Sequence, residues 1–323
     1  MKKFIDFINR IYKRAVDFIL GFIRFFYPDN IKKFFSNKNM KRIFATKEGW
    51  LNILYYASLI FIALVFLFPF YLVLINSFKN KTDIIFSPLE ITNGFMRDFS
   101  NYQNGIETTN FFRSILNSFL ITVVSVSLIL LFTSMASWMI VRVKNRFTRF
   151  LYYSFVLAMV VPFQLLLQPM VYMSSNWFNL DNLLGINILY VGFGAGLSVF
   201  IFTGFIKSIP YEIEEAAMMD GCGPFRTFFK VVAPILKPTY ITVAILNVMW
   251  IWNDYLLPER ILGSDEYQMT LPVAIQKTMV GQYGDTKYDQ MMAIIILSII
   301  PVIIFYLLLQ KHIIRGVSEG SIK

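Results

Sequence analysis

Residues 115–141 read ILNSFLITVVSVSLILLFTSMASWMIV, a run of 27 residues without a charged side chain. A helix of this length extends about 40 Å, which exceeds the roughly 30 Å of hydrocarbon in a bilayer. The run therefore predicts a helix that crosses a membrane.

The composition of the whole chain agrees with this interpretation. Hydrophobic residues make up 56% of the 323 residues, charged residues 15%, and the mean hydropathy is +0.57, which is typical of membrane proteins rather than soluble domains. Five further apolar segments are long enough to cross a bilayer: 50–75, 150–172, 188–206, 239–257 and 291–309. We predict an all-α, polytopic membrane protein with six transmembrane helices.

The basic residues indicate how these helices are oriented. Of the 30 Lys and Arg residues, 23 fall in four segments that would share one side of the membrane: 1–49, 142–149, 207–238 and 310–323. Because basic segments stay on the cytoplasmic side, both termini are predicted to be cytoplasmic. The net charge of +10 then follows from topology and does not indicate a nucleic-acid partner.

Residues 1–49 are predicted to form a cytoplasmic extension, and residues 50–323 the transmembrane domain. Within the extension, residues 4–26 place apolar side chains on one helical face and charged side chains on the other. This pattern predicts an amphipathic helix that lies in the membrane interface and contacts lipid. Contact with a partner protein is the alternative.

Segment 207–238 lies between the fourth and fifth predicted spans. Pro210 followed by three glutamates is typical of a helix start, and Gly221 of a helix end. After the Gly-Pro pair at 223–224, four apolar residues at helical spacing predict a second helix anchored to the spans: Phe225, Phe228, Phe229 and Val232. The spacing predicts a helical hairpin, which is either a docking element or an ordinary folded loop.

The hairpin also carries a family resemblance. Glu215-Ala216-Ala217, three residues, Gly221, nine residues and then Val231 to Pro234 resemble the EAA loop of bacterial ABC importer permeases. In that family the loop is a coupling helix that seats in a groove of a separate ATPase subunit. The resemblance implies that seven residues serve ATPase coupling: Glu215, Ala216, Ala217, Asp220, Gly221, Phe225 and Pro234.

Residues 67–323 resemble the maltose-type carbohydrate permeases over a longer range. The matching stretches are NSFK (76–79), NY (101–102), FRSILNS (112–118), PFQ (162–164), WNDYLLP (252–258), TLPVAI (270–275) and RGVSEGSIK (315–323). The resemblance implies an importer of a sugar or oligosaccharide in the bacterial cytoplasmic membrane. Its partners would be a second homologous permease, two ATPase subunits and an extracytoplasmic sugar-binding protein. The tail 318–323 would reach the ATPase dimer, or be an ordinary disordered terminus.

Catalysis is not expected on this chain. The Gly-x4-Gly-Lys-Ser/Thr phosphate loop does not occur, and one His and one Cys leave no Cys/His metal site. GFGAG at 192–196 has no following Lys and predicts close helix packing instead. We therefore expect no enzyme activity, cofactor or metal here, with ATP and Mg bound by the ATPase partners. The alternatives are a self-contained secondary carrier or channel, and an ABC importer for a non-carbohydrate solute.

Polar and aromatic residues within the predicted spans are candidates for a substrate path. Six residues qualify: Gln164, Gln168, Asn247, Trp250, Asn253 and Asp254. An aromatic plate flanked by hydrogen-bonding groups suits a sugar ring. The alternative is that these residues hold helices together or lie at the outer interface.

The predicted outer loop 258–290 contains MVGQYGD at 279–285. In maltose-type permeases the matching loop reaches into the cleft of the binding protein. By this resemblance the candidate contacts are Gly281, Gln282, Tyr283 and Gly284. The alternative is that the loop only connects two spans.

Overall fold

The computed structural model describes residues 47–91, 95–96, 98–263, 265, 267–279 and 286–320. The predicted amphipathic helix at 4–26 lies outside the described residues. So do Gly281, Gln282, Tyr283 and Gly284, the candidates for contact with a binding protein. Both remain predictions.

The described ranges are helical and contain no β-strand. In chain order the helices are α1 Lys47–Asn76, α2 Lys81–Phe86, α3 Ser100–Thr108, α4 Phe111–Arg142, α5 Arg146–Val160, α6 Phe163–Met173, α7 Gly185–Ile206, α8 Glu212–Met219, α9 Pro224–Thr227, α10 Ala233–Ile235, α11 Lys237–Asn253, α12 Leu256–Ile261, α13 Leu271–Met279 and α14 Tyr288–Gly320. Short π-helical segments, Ser174–Phe178 and Phe228–Val232, follow α6 and α9.

The chain divides into two compact units, Met1–Tyr71 and Leu72–Lys323. Helix α1 runs across this division. The predicted boundary near residue 49 falls where the described residues begin, and it remains a prediction.

Four described helices are long and apolar enough to cross a membrane: Ala57–Asn76, Phe111–Arg142, Gly185–Ile206 and Tyr288–Leu307. Two bent pairs qualify if each is one broken span: Arg146–Val160 with Phe163–Phe178, and Pro224–Ile235 with Lys237–Asn253. Each of the six predicted apolar segments falls on one of these. The all-α, multi-span prediction is confirmed, whereas a count of six depends on the bent pairs.

The predicted span 150–172 is not one continuous helix. Helix α5 ends at Val160, and α6 starts at Phe163 after a bend of 106°. Pro162 has no amide proton to donate and disfavours helical geometry in the residue before it. Val161 accordingly has an extended backbone, with ψ 120°. A second bend of 78° precedes α11, whose second residue is Pro238.

Helix α7 packs closely against α4, α5 and α11 within the second unit. A Cβ atom on Gly194 of α7 would lie 2.6 Å from Ile129 Cδ1 and 2.7 Å from Asn247 Oδ1, and one on Gly196 would lie 2.9 Å from the Phe155 carbonyl oxygen. At Gly196 the neighbour is a backbone atom, which leaves room only for glycine, whereas at Gly194 the side chains of Ile129 and Asn247 would have to shift. The packing predicted from GFGAG is therefore confirmed at Gly194 and Gly196, whereas a Cβ on Gly192 would meet nothing within 4 Å.

The NSFK and NY stretches meet in one polar junction after α1. Asn101 Nδ2 donates to the carbonyl oxygens of Ser77 (3.1 Å) and Lys79 (2.8 Å), and the Ser77 and Tyr102 hydroxyls lie 2.7 Å apart. Buried Lys79 donates through Nζ to the Ser87 carbonyl oxygen at 2.8 Å. Burial lowers the Lys79 pKa, an effect opposed by nearby carboxylates. These motifs therefore fix the chain between α1 and α3.

Candidate functional site

Segment 207–238 forms the predicted hairpin, with α8 as its first helix. Three glutamates occupy the first turn of α8, where the helix dipole favours negative charge. The helix ends at Met219 with Asp220 as its C-cap, and Gly221 adopts the left-handed region with φ +82°. The Gly221 amide donates to the Met218 carbonyl and the Cys222 amide to the Ala217 carbonyl, both at 3.0 Å. This pair of bonds is a Schellman motif, which makes the turn sharp.

The predicted coupling residues lie mostly on the surface of this hairpin. Glu215, Ala216, Asp220, Gly221, Phe225 and Pro234 are exposed, and Ala217 is half-buried. Two apolar side chains beside the turn are also open, Met219 at 88% and Phe225 at 70% exposure. Short side chains on α8 next to exposed apolar groups form a surface that another protein can approach closely.

The predicted Phe stripe is only partly correct. Phe228 and Val232 are buried in a core cluster with Phe202, Ile206 and Leu236, but Phe225 and Phe229 are exposed. The π-helical segment Phe228–Val232 inserts an extra residue into the turn, so side chains before and after it no longer share one α-helical face. Phe228 and Val232 therefore anchor the hairpin, and Phe225 is left open for contact.

Glu214 is a site residue that the sequence analysis missed. Its side chain is fully buried and accepts hydrogen bonds from α4: Trp138 Nε1 at 2.8 Å, Arg142 Nε at 2.9 Å and Arg142 Nη2 at 2.7 Å. Glu215, one residue later, is exposed. Both glutamates suit a helix N-terminus, so the sequence held no signal that separates them.

Arg142 holds the hairpin at more than one point. Besides the bonds to Glu214, its Nη2 donates to the Ile209 carbonyl oxygen at 3.1 Å, and its guanidinium lies 5.5 Å from the Tyr211 ring centroid. Both Arg142 donors share Glu214 Oε1 while Trp138 donates to Oε2, so each carboxylate oxygen has a partner and the carboxylate is held in one orientation. The start of α8 is thus tied to the last turn of α4.

The six candidates for a substrate path do not form one polar surface. Asn247 is buried and donates to Ser198 Oγ (3.1 Å) on α7 and to its own helix, which matches a helix-packing role. Gln164, Gln168 and Asn253 are exposed. The substrate path therefore remains a prediction.

Trp250 and Asp254 lie around Tyr190 of α7. The Tyr190 ring meets the Trp250 ring edge-on at 5.5 Å, and its hydroxyl donates to Asp254 Oδ2 at 2.9 Å. Phe163 and Phe193 approach Trp250 from other directions, with centroids 6.4 and 6.5 Å away. Trp250 keeps 37% of its surface exposed, so this aromatic cluster has one open face.

The sequence of this chain is similar to those of known transport proteins. A family model described as the binding-protein-dependent transport system inner membrane component matches residues 129–319. The probable starch degradation products transport system permease protein AmyC of Thermoanaerobacterium thermosulfurigenes is 36% identical over 264 residues, covering 82% of this chain and 94% of the relative. The multiple sugar-binding transport system permease protein MsmG of Streptococcus mutans serotype c is 36% identical over 250 residues, covering 74% and 89%.

A solved structure has a similar fold. It is that of a bacterial ABC transporter involved in the import of the acidic polysaccharide alginate, with a TM-score of 0.68 and 24% identity. The match covers 82% of this chain and 98% of that chain. At this identity the likeness concerns the fold alone.

Proposed function

The chain belongs to the family of binding-protein-dependent transport system inner membrane components, and from this membership we propose that it is the permease subunit of an ATP-driven importer of oligosaccharides. In this proposal two separate ATPase subunits hydrolyse ATP, a second permease completes the pore, and an extracytoplasmic binding protein delivers the sugar. Both termini and the hairpin 207–238 face the cytoplasm.

The observation that carries the proposal is the construction of the hairpin. Its first helix is fixed from behind by Glu214, while Glu215, Ala216 and Phe225 face outward. A surface that is open on one side and rigidly tied on the other can receive a force from a docked ATPase and pass it on. Such a tie has no evident purpose in a loop that only connects two spans.

The substrate class is inferred from the relatives and from chemistry. The names of the relatives refer to starch degradation products and multiple sugars. In this chain, Trp250 is partly exposed and packs against the Tyr190 ring, and the Tyr190 hydroxyl donates to the Asp254 carboxylate. A sugar presents apolar C–H faces and a polar hydroxyl rim, for which such a site is suited.

Uptake by a reconstituted complex tests the proposal. The complex that assembles around this chain is purified, placed in liposomes with its binding protein, and supplied with ATP inside. We expect ATP-dependent uptake of labelled maltooligosaccharides. Uptake of a phosphate ester but no oligosaccharide would leave an importer with another substrate, and the absence of any ATP-dependent uptake would contradict the proposal.

The docking surface has its own variant and control. Glu215→Lys reverses a charge on the exposed face of α8, so the ATPase subunits should bind less tightly and uptake should fall. Asp181→Lys makes the same change at an exposed site before α7, outside the hairpin, and should leave ATPase binding unchanged. Equal co-purification of the ATPase with both variants would exclude this surface.

A further inference from the structure

The helix that holds the hairpin also holds a segment at its opposite end. Near the start of α4, Asn117 Nδ2 donates to the carbonyl oxygens of Tyr267 and Met269, both at 3.0 Å. Ser118 Oγ accepts from the Leu271 amide at 2.8 Å, in a buried contact. Residues 267–271, which lead into α13, are therefore bound to α4 through their backbone.

Arg113 adds to this outer contact. Its Nε donates to the Tyr267 carbonyl oxygen at 3.0 Å, and its guanidinium lies 4.6 Å from the Tyr267 ring centroid. Arg113 and Asn117 are four residues apart and so lie on one face of α4. Apolar packing of Phe111 with Leu271 and Ile294 lies beside them.

The inner contact has the same design. Trp138 and Arg142 are also four residues apart, and both donate to the buried carboxylate of Glu214. A carboxylate that stays buried and loses its donors is strongly destabilised, so a shift of α8 along α4 within this contact is opposed. Both ends of α4 therefore hold a neighbouring segment through side-chain hydrogen bonds with fixed partners.

The helix between these two contacts is built to stay straight. Helix α4 has 32 residues, so it is about 48 Å long. Of the six apolar segments that the structure describes as helices or bent pairs, it alone contains neither Pro nor Gly, the residues at which helices usually kink. Displacement at one end should therefore reach the other.

We propose that α4 is a coupling rod that links the ATPase-docking hairpin to residues 267–271 at the opposite face, with Glu214 and Asn117 as positioning residues at its ends. The proposal rests on the proposed function, since it needs an ATPase at one face and a binding protein at the other. In this arrangement, engagement of the binding protein is sensed at the ATPase through α4, and closure of the ATPase dimer moves residues 267–271.

Softening the rod between its two contacts tests this proposal. Val123 and Val124 are 45% and 40% exposed in this chain and lie between Ser118 of the outer contact and Trp138 of the inner contact. The pair Val123→Gly and Val124→Gly adds backbone freedom there, whereas the pair Val123→Ala and Val124→Ala removes most of each side chain but keeps the Cβ atom and a stiff helix. ATPase activity of reconstituted complexes is measured with and without the binding protein.

We expect the Gly pair to keep basal ATPase activity and to lose stimulation by the binding protein about fivefold or more, the lower range of allosteric coupling. The Ala pair should behave like the wild type. Equal stimulation of the two pairs, at equal amounts of assembled complex, would overturn the proposal. Absence of any stimulated ATPase activity in the wild type would instead reject the proposed function, and the rod with it.

A second experiment does not depend on the glycine pair folding. Glu214→Gln weakens the inner contact and Asn117→Ala the outer contact, alone and together. If both contacts act through one rod, the double variant loses little more stimulation than the more impaired of the two single variants. Losses that multiply would show two independent contacts and would contradict the rod.

Discussion

At the scale of single residues, Glu214 shows how burial converts a charge into a positional constraint. Its side chain is fully buried, and its three hydrogen bonds come from Trp138 and Arg142. Breaking such a buried pair from one side costs about 3–5 kcal/mol. Gly194 imposes a constraint of a different kind, since it sets how near two helices can come.

Gly194→Ala is expected to destabilise the protein. The added methyl group would lie 2.6 Å from Ile129 Cδ1, and neighbouring side chains would have to move at a cost of about 1–3 kcal/mol. Gly192→Ala is the matched control, because a Cβ there meets nothing within 4 Å. Thermal unfolding in detergent measures the difference, with the loss of monodisperse protein as the signal. An equal fall in melting temperature for the Gly194 and Gly192 variants would contradict the close packing around Gly194.

At the scale of elements, the hairpin separates what local sequence predicts from what it does not. The helix end at Gly221 and the new start at Pro224 follow from backbone preferences of those residues, so both were predictable. The π-helical segment after Thr227 was not predictable, because the spacing of apolar residues in the sequence does not reveal an inserted residue. The assumption of a regular helix therefore placed Phe225 and Phe229 wrongly among the anchors.

Gly221→Val is expected to disturb the hairpin through its backbone. A Cβ at Gly221 would meet nothing within 4 Å, but φ is +82°, a conformation that costs a β-branched residue about 1–2 kcal/mol. Stimulated ATPase activity should therefore fall, while membrane insertion is retained. Asn tolerates this conformation better, so Gly221→Asn should keep most of the activity. Full activity of the Val variant would show that the turn geometry is not needed for coupling.

At the scale of the whole molecule, the apolar segments and their family were predictable from sequence, and the family membership is confirmed over residues 129–319. Contacts between distant parts were not. The pairing of Trp138 with Glu214 spans 76 residues, and that of Asn117 with Met269 spans 152. Periodicity reports which face of a helix is apolar but not which remote group meets it. The substrate-path residues were chosen because they are polar or aromatic and lie within the predicted spans, and they stay a prediction.

The orientation of the molecule can be measured at its single cysteine. Cys222 is half-buried in the hairpin turn, and we expect an impermeant maleimide to label it in inside-out vesicles but not in intact cells. Added ATPase subunits should protect it. Asp181→Cys in a Cys222→Ser background should give the opposite pattern, because residue 181 is exposed before α7. Labelling of Cys222 from outside would reverse the proposed topology.

The bond between Arg142 and Glu214 has a consequence for the order in which the chain is made. The two residues are 72 positions apart, so a ribosome at about 5–20 residues per second makes Glu214 roughly 4–14 s after Arg142. During that interval Glu214 is not yet available to Arg142, and in the proposed topology the Arg142 charge would hold the end of α4 at the cytoplasmic surface while α5 to α7 insert. The guanidinium that later fixes the hairpin would thus first serve as a topological signal for the nascent chain.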